Sequence, residues 1–300
     1  MVEKTFTIVI CTYNGGEKIS GVIDRILEQG KTLEMVDKIV VVDNNSSDNT
    51  REIVSQYSEN VPIVEYVFEG LSGLSNARRT GVNAVNTEWI IFLDDDNYIT
   101  PHWLEHVLSY IGNNPKVGAF NGAVIPKLTF DGNEDYANRL VASYKVLACT
   151  HLDENELHNN PQTPFRNPIG AGMVVLTKPL KQLIDKGWLS ASGRTKDNLA
   201  SGEDGEMAFW IKNQGYEFGF CKDAILYHEI PQFRLEDEYL KKMWYEIGKG
   251  VAIVIKKQDR IGLIRYLYYI YKYTQYFFAK GDSYKKSNLY NYLNGYKNGL

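Results

Sequence analysis

The sequence has little cysteine and no long apolar run. Its 300 residues include three cysteines, Cys11, Cys149 and Cys221, an odd number at wide spacing that argues against a disulfide framework and against a zinc site. No stretch reaches about 18 consecutive apolar residues, so we expect no membrane-spanning helix. The first residues, MVEKTFTIVIC, lack the pattern of a signal peptide. These absences lead us to expect a protein of the reducing cytoplasm.

The sequence also lacks a large excess of one charge. Its 33 Lys and Arg face 37 Asp and Glu, a net charge of −4, which gives no reason to expect nucleic-acid binding. The charge is unevenly distributed, because from residue 240 onward there are 12 basic and 3 acidic residues, with 11 of the 21 tyrosines. We therefore expect one domain over residues 1–234 and a helical, basic and tyrosine-rich extension over residues 235–300.

Short apolar runs alternate with amphipathic segments over the first 115 residues. The runs that predict strands are residues 6–10, 38–42, 61–68 and 89–93. Residues at helical spacing follow each run, and Thr100 followed by Pro101 predicts a helix with Thr100 as its N-cap. Later elements are a strand over 116–126 and helices over 137–148 and 204–214. The alternation predicts an α/β fold with a largely parallel sheet covered on both faces.

Three polar clusters come directly after predicted strands. They are residues 11–14, 43–45 and 94–97. Ligands of open parallel sheets bind beyond the carboxyl ends of the strands, so these hydroxyl, amide and carboxylate groups are expected to meet at one edge of the sheet.

Asp94, Asp95 and Asp96 form the sharpest of these signals. Adjacent carboxylates repel one another unless a cation compensates, and Mg²⁺ is usually held by one or two carboxylates together with substrate phosphates. A diphosphate leaving group needs the same neutralisation. The alternative is a solvated acidic turn, because Asp is common in loops. The two companion clusters favour a site for Mn²⁺ or Mg²⁺.

At this point the sequence resembles a known family. Residues 8–14 read IVICTYN, residues 39–48 read IVVVDNNSSD, residues 73–78 read GLSNAR, and residues 91–96 read IFLDDD. Their order and spacing resemble the bacterial family 2 glycosyltransferases, and the likeness returns at GAGM (170–173) and GEDGE (202–206). The resemblance implies the GT-A fold, with one mixed, mostly parallel nucleotide-binding sheet. It also implies an inverting, hexosyl-transferring enzyme.

The resemblance further implies roles for individual residues. Those expected to bind the nucleotide sugar are Thr12, Tyr13, Asn14, Asp43, Asn45, Arg78, Asp94, Asp95 and Gly172. Those expected to bind the metal are Asp94, Asp96 and His228. Asp204, beside Glu203, is expected to be the general base. The sequence departs from the family pattern at Cys11, where proline is usual, and at Arg79, where asparagine often follows the arginine, so Arg79 is an alternative to Arg78.

Three of these roles have structural alternatives. Residues 201–204 also read as a capping box with Ser201 as the N-cap, which would make Asp204 a helix cap. The Gly170 and Gly172 pair can serve either a tight turn or a close approach to the donor sugar. His228 is either a metal ligand, which requires a neutral imidazole, or a structural side chain.

Two other functions remain open. A sugar nucleotidyltransferase should have a glycine-rich phosphate loop after its first strand, where this sequence reads CTYNGGEK. A non-catalytic sugar-binding or nucleotide-binding protein would result if the acidic residues were structural. The favoured function is transfer from a nucleotide sugar, a UDP-sugar above all, to a glycan or lipid-linked acceptor in cell-surface polysaccharide synthesis.

The extension has two interpretations. Tyr266, Tyr269, Tyr273 and Tyr276 lie at helical spacing, with basic residues among them. This pattern suits a helix that packs on the catalytic domain, and it also suits an interfacial helix that touches anionic lipid. We expect packing together with weak membrane contact, which would place the protein in the cytoplasm or at the inner face of the membrane.

Overall fold

The computed structural model describes residues 5–165, 167–189, 193–195, 199–258, 263–279 and 283–299. The strands are β1 (Phe6–Thr12), β2 (Val36–Asp43), β3 (Val64–Phe68), β4 (Trp89–Asp94), β5 (Asn97–Ile99), β6 (Val117–Leu128), β7 (Met173–Leu176) and β8 (Glu217–Ile230). The helices of the first 234 residues are α1 (Ile19–Leu27), α2 (Thr50–Asn60), α3 (Leu74–Asn83), α4 (Trp103–Asn113), α5 (Glu134–Ser143), α6 (Glu154–Asn159), α7 (Thr177–Asp185) and α8 (Glu203–Asn213). They are followed by α9 (Asp237–Gln258), α10 (Leu263–Phe278) and α11 (Ser283–Gly299).

The eight strands form one curled sheet in the order β3-β2-β1-β4-β7-β6-β8-β5. The first four run parallel to one another, β7 is antiparallel to both of its neighbours, and β8 is parallel to β6. The short β5 pairs antiparallel with β8 at the far edge. The predicted α/β fold with one mixed, mostly parallel sheet is confirmed.

The central strands are apolar on both sides because helices cover both faces of the sheet. In β1, Ile8 and Ile10 belong to the hydrophobic core on one face, and Val9 and Cys11 belong to the core on the other. Such two-sided burial requires the continuous apolar run that predicted the strand. Because β1, β2 and β4 run parallel, their carboxyl ends reach the same edge of the sheet.

The predicted start of α4 is wrong. The helix begins at Trp103, and its N-cap is His102 in the left-handed conformation (φ 64°). Thr100 is engaged elsewhere, because its hydroxyl and its backbone N–H both donate to the carbonyl oxygen of Ile225, at 2.8 and 3.1 Å. A tertiary contact with β8 has replaced the local cap. The helix predicted over 137–148 also begins and ends earlier, as α5.

The predicted C-terminal helical extension is confirmed, and its helices pack tightly. A Cβ atom added to Gly248 of α9 would overlap the Tyr292 carbonyl, and one added to Gly295 of α11 would overlap the Tyr245 carbonyl. Packing also continues across residue 234, since Leu240 of α9 lies in the main core. The domain boundary stays a prediction. Within the part of the chain that the structure describes, no helix is both long and apolar enough to cross a membrane.

Candidate active site

A pocket of about 310 Å³ opens where the ends of β1 and β4 meet. The predicted site residues that line it are Thr12, Tyr13, Arg78, Asp94, Asp95, Asp96, Glu203, Asp204 and His228. Of the two arginines left open by the sequence, Arg78 lines the pocket and Arg79 is not among its described lining residues. The pocket brings the acidic turn after β4 together with the acidic pair at the start of α8, 110 residues later in the chain.

The acidic turn is fixed by the pairing of β5 with β8. Asn97 lies opposite His228 in the ladder, and the N–H of Glu229 donates to the carbonyl oxygen of Asp96 at 3.0 Å. The Asn97 side chain closes the turn, because its Nδ2 donates to Asp96 Oδ1 at 3.0 Å and its Oδ1 accepts from the Asp94 N–H at 3.2 Å. Main-chain register thus brings Asp96 and His228 together.

The three aspartates differ in electrostatic environment. Burial raises the pKa of Asp94, which is half-buried at the end of β4. Burial and then the Asp96 carboxylate raise the pKa of Asp95 to about 7, although the Thr12 hydroxyl donates to Asp95 Oδ2 at 2.6 Å and opposes this shift. Burial alone would raise the pKa of Asp96, but a protonated His228 ring and the Arg234 guanidinium outweigh it and hold that pKa below its usual range; with the ring neutral, the guanidinium is the cation that remains. Asp96 is therefore the carboxylate that stays charged most firmly.

Asp96, His228 and Arg234 form the first of two clusters in the pocket. Arg234 follows β8 in a short 3₁₀ helix (Gln232–Leu235). Its Nη2 donates to Asp96 Oδ2 and its Nη1 contacts His228 Nε2, each at 2.9 Å. A guanidinium carries donors only, so Nε2 must be the acceptor and the imidazole is neutral. The ring's other nitrogen, Nδ1, lies 3.9 Å from the thiol of the buried Cys149.

The donor set of this cluster fits a divalent cation that is shared with a substrate. Asp96 Oδ1 and His228 Nε2 are 3.4 Å apart, and two ligands at about 2.1 Å from one ion lie about 3 Å apart when they meet it at a right angle. Among the described residues, no group of three His, Cys, Asp or Glu side chains could hold an ion alone. An ion at this place would therefore complete its coordination with ligands from outside the protein, phosphate oxygens or water.

Arg78, Glu203 and Asp204 form the second cluster. Arg78 donates through Nη1 to Asp204 Oδ1 and lies 3.5 Å from Glu203 Oε1. Asp204 Oδ2 accepts from the N–H of Gly170 at 2.8 Å. The Asp204 side chain is 31% exposed, whereas those of Glu203 and Arg78 are 7% and 2% exposed. Asp204 is therefore the carboxylate that a molecule in the pocket can reach.

Glu203 is a buried acid with an unusual charge balance. Burial, and then the neighbouring Asp204 carboxylate, raise the pKa of Glu203 to about 7 against the opposing effect of Arg78. Its Oε2 has no hydrogen-bond partner among the described residues. Glu203 therefore shares Arg78 with Asp204, and one of its own oxygens lacks a hydrogen bond.

The predicted capping box at α8 is wrong. The N-cap is Gly202, whose φ of 121° favours glycine, and it makes no side-chain capping bond. A Cβ added to Gly250 of α9 would overlap the carbonyl of Ser201, so α9 packs directly on the backbone that leads into α8. The Asp204 carboxylate contacts Arg78 and Gly170 instead of capping the helix.

Four predicted nucleotide-sugar residues lie outside the described lining of the pocket: Asn14, Asp43, Asn45 and Gly172. Asp43 is buried, and its two oxygens accept from the Ser46 N–H and the Tyr66 hydroxyl, both at 2.8 Å. Asn14 Oδ1 accepts from the Ser47 N–H at 2.8 Å, which ties the loop after β1 to the loop after β2. Asn45 has a left-handed backbone (φ 65°) in that second loop. The neighbouring Asn44 is the lining residue here.

Gly172 serves packing rather than the pocket. Its backbone is left-handed (φ 66°), and an added Cβ would overlap the Leu226 side chain. Gly170 and Ala171 are the residues of this motif that line the pocket. Of the two alternatives open for the glycine pair, the structure favours the tight turn for Gly172.

Two arginines in the pocket were not predicted from the sequence. Arg234 contacts Asp96 and His228 as described, and Arg194 lies in the loop before α8. Neither belongs to a recognisable motif. Their one sequence signal is position, since Arg234 follows His228 by six residues and Arg194 precedes the motif at 202–206 by eight, and that signal is too weak to select them.

The curled, mixed sheet with an acidic pocket at its strand ends has the GT-A fold, and two solved structures share it. A mannosyltransferase from Pyrobaculum calidifontis, solved with GDP-Man and Mn²⁺, aligns with 98% of this chain and 70% of its own at TM-score 0.57 and 18% identity. S. aureus TarS 1–349, solved with UDP-GlcNAc, aligns with 84% of this chain and 66% of its own, just under two thirds, at TM-score 0.55 and 16% identity. The predicted GT-A fold is confirmed.

Residues 7–160, just over half of the chain, match the family model described as Glycosyl transferase family 2, and the chain therefore belongs to this family. Two relatives come from Haloferax volcanii: a glucosyl-dolichyl phosphate glucuronosyltransferase, 23% identical over 84% of this chain and 78% of its own, and the glycosyltransferase AglE, 26% identical over 86% and 76%. A minor teichoic acid biosynthesis protein of Bacillus subtilis, GgaB, is 23% identical over 87% of this chain and 28% of its own. Asp204, His228 and Arg234 lie beyond the residues that the family model matches.

Proposed function

We propose that this family 2 glycosyltransferase moves a hexosyl group from a nucleotide sugar, a UDP-sugar first of all, to a hydroxyl of a glycan or lipid-linked acceptor with inversion. Its place would be in the synthesis of bacterial cell-surface polysaccharide. One observation carries the proposal: a single pocket joins Asp94, Asp95 and Asp96 to Asp204. The relatives support it, because their names include a glucuronosyltransferase and a teichoic acid biosynthesis protein.

The nucleotide would lie along the ends of β1 and β2. Thr12 and Tyr13 line the pocket there, and Asp43, Asn14 and Asn45 shape the loops behind them. A buried carboxylate such as Asp43 keeps accepting capacity beyond its bonds to Ser46 and Tyr66, so it remains a candidate partner for a base N–H. Asp94 and Asp95 would meet the ribose and sugar.

Asp96 and His228, with Asp94 near them, are the residues that would hold Mn²⁺ or Mg²⁺. When bound, such an ion stabilises the negative charge that develops on a departing diphosphate. The protein's own contribution is to keep Asp96 ionised and to hold Nε2 of a neutral His228 ring 3.4 Å from Asp96 Oδ1.

Asp204 would be the general base. In one displacement, an acceptor oxygen forms its bond to the anomeric carbon while the bond from that carbon to the diphosphate breaks on the opposite face, and the acceptor proton passes to the Asp204 carboxylate. Arg78 and the Gly170 N–H fix the orientation of that carboxylate. Glu203 is too buried to touch an acceptor, so it would position Arg78.

The test is transfer activity with and without a divalent cation, using UDP-, GDP- and dTDP-sugars. We expect transfer or slow donor hydrolysis that depends on Mn²⁺ or Mg²⁺ and releases a nucleoside diphosphate. Release of pyrophosphate from a nucleoside triphosphate and a sugar phosphate would instead identify a sugar nucleotidyltransferase. Donor binding without any turnover would identify a non-catalytic binding protein.

We also propose peripheral contact with an anionic membrane surface through α10. Much of this helix presents apolar side chains to solvent, namely Ile264, Tyr266, Leu267, Ile270, Tyr271, Tyr273, Phe277 and Phe278. Of the predicted tyrosines, Tyr266 and Tyr273 are exposed, whereas Tyr269 stacks on Tyr296 at 6.2 Å. The basic excess of this segment suits anionic lipid, and a place at the inner face of the cell membrane would follow.

This contact is tested by vesicle co-sedimentation of the full chain. We expect binding to anionic vesicles that weakens with salt. Leu267→Gln with Phe278→Gln should lower the binding by about tenfold, because two apolar side chains no longer enter the interface. The control is Phe68→Gln, which changes an equally exposed aromatic residue on the catalytic domain. If the full chain ignores anionic vesicles at low salt, the extension serves packing alone.

A further inference from the structure

We propose that the Arg234 guanidinium and a divalent cation compete for the same two groups, the Asp96 carboxylate and Nε2 of His228, so that Arg234 must leave them before an ion can bind. The inference rests on the proposed metal-dependent transfer. The inference adds one positioning residue, Arg234, to the proposed reaction. This residue couples the binding of the ion to the binding of the diphosphate.

The competition follows from the valence of the imidazole. Nε2 of a neutral histidine has one lone pair, and here that lone pair accepts the Nη1–H of Arg234 at 2.9 Å. A metal ion would need the same lone pair. The two contacts therefore exclude each other at His228 by chemistry as well as by space.

Charge leads to the same conclusion at Asp96. This buried carboxylate is already neutralised by Nη2 of Arg234 at 2.9 Å. A divalent ion beside a guanidinium that stays in place would add strong repulsion between cations in a poorly solvated site. One cation at a time can occupy this end of the pocket.

The hydrogen-bond donors of Arg234 are only partly satisfied. Its Nε is buried and has no hydrogen-bond partner among the described residues, and an unsatisfied buried donor is unfavourable. The side chain is still 17% exposed and lines the pocket beside Asp94 and Asp95. A diphosphate in the pocket would offer acceptors to its whole donor fork, because arginine binds phosphate in a bidentate manner.

Diphosphate binding would thus give Arg234 another partner and free Asp96 and His228 for the ion. The two ligands should then strengthen each other's binding, and linkage requires that the effect be reciprocal. A purely structural ion pair between Arg234 and Asp96 predicts no such coupling. The coupling is therefore the property to measure.

The experiment measures Mn²⁺ binding by electron paramagnetic resonance, with and without inorganic pyrophosphate, after correction for the complex that Mn²⁺ and pyrophosphate form alone. Arg234→Gln should bind Mn²⁺ about 10- to 100-fold more tightly than the wild type without pyrophosphate, the range expected when two charge-assisted hydrogen bonds no longer compete. The enhancement by pyrophosphate should shrink by the same factor. Arg234→Lys keeps the charge but cannot contact both groups in the same way, so it should lie between the two.

The matched control is Arg194→Gln. Arg194 carries the same charge in the same pocket, but none of its described contacts involves Asp96 or His228, so the affinity for Mn²⁺ should change less than about threefold. Adding His228→Gln to Arg234→Gln should remove the gain, which would locate the ion.

The outcomes separate the inference from the function on which it rests. If the wild type binds Mn²⁺ with pyrophosphate and Arg234→Gln or Arg234→Lys leaves both affinities unchanged, the competition is wrong and metal dependence stands. If no variant binds Mn²⁺ under any condition, metal dependence and the competition fail together.

Discussion

Two arginines stand in the same pocket, and they are held in different ways. Arg78 lies between two carboxylates, Glu203 and Asp204, and only 2% of its side chain is exposed. Arg234 lies between one carboxylate and one neutral imidazole, and 17% of its side chain is exposed. Arg78 therefore contacts two carboxylates, whereas Arg234 contacts a single carboxylate.

The difference concerns what happens when each arginine is removed. Without Arg78, the buried Glu203 and the partly exposed Asp204 would lose the cation that both contact, and uptake of a proton by Glu203 would relieve their repulsion. Without Arg234, Asp96 still has the His228 imidazole 3.4 Å away, and a metal ion can take the place of the guanidinium. If the proposed roles hold, Arg78 stays in contact with the Asp204 carboxylate throughout, whereas Arg234 is the cation that a metal ion replaces.

The largest expected effect tests the acid pair that Arg78 holds. Asp204→Asn keeps the size of the side chain but cannot take a proton, so the rate of transfer should fall by about 10²–10⁴-fold. Glu203→Gln is the matched control and should cost much less, because Glu203 does not reach the acceptor. The measurement is the transfer rate and the donor affinity of both variants. A dead Glu203→Gln beside an active Asp204→Asn would reverse the assignment.

The next effect compares the two arginines directly. Arg78→Gln should lower the free energy of unfolding by about 3–5 kcal/mol, the usual cost of removing one partner of a buried ion pair. Arg234→Gln should cost less than half as much. Mn²⁺ should raise the stability of Arg234→Gln, since a ligand that binds only the native state stabilises it, and should leave Arg78→Gln unchanged. Equal losses in urea unfolding would remove the distinction between the two arginines.

The smallest effect concerns pH and Glu203. Its pKa is about 7 in the folded protein and 4.5 when unperturbed, so the native state binds more protons than the unfolded state between these values. Stability therefore falls as the pH rises through this window. Glu203→Gln removes the effect, so its stability relative to the wild type should improve by about 1–3 kcal/mol from pH 5 to pH 8. A difference that is constant with pH would mean that Arg78 keeps Glu203 ionised throughout.

The sheet and half of the site could be predicted because they depend on local pattern. The continuous apolar runs of β1, β2 and β4 end in polar clusters, and parallel strands bring such ends together. The approach of His228 to Asp96 was expected from the family resemblance alone, because local pattern does not give the register of β5, a strand of three residues. Arg234 was missed for a related reason, since its role exists only once that pairing has formed.

Two local signals were misleading because tertiary contacts outweighed them. Thr100 has the composition of an N-cap but donates to Ile225 in β8. The residues from Ser201 to Asp204 match a capping box, but the N-cap is Gly202. Helix α9 lies against the backbone at this point. Thr100 is bound to another strand, and the backbone at Ser201 is packed against α9.

The approach of Gly250 to Ser201 has a practical consequence for anyone who engineers this enzyme. Helix α9 packs against the backbone that leads into α8, and its Leu240 belongs to the main core. A fragment that stopped at residue 234 would therefore lose both the packing next to α8 and one core side chain. Chimeras with relatives should therefore exchange α8 and α9 as a unit, with the crossover placed before the Ser201–Gly202 peptide. A library that varies α9 for solubility should keep position 250 as glycine, because any larger residue would push on the Ser201 backbone that leads into α8.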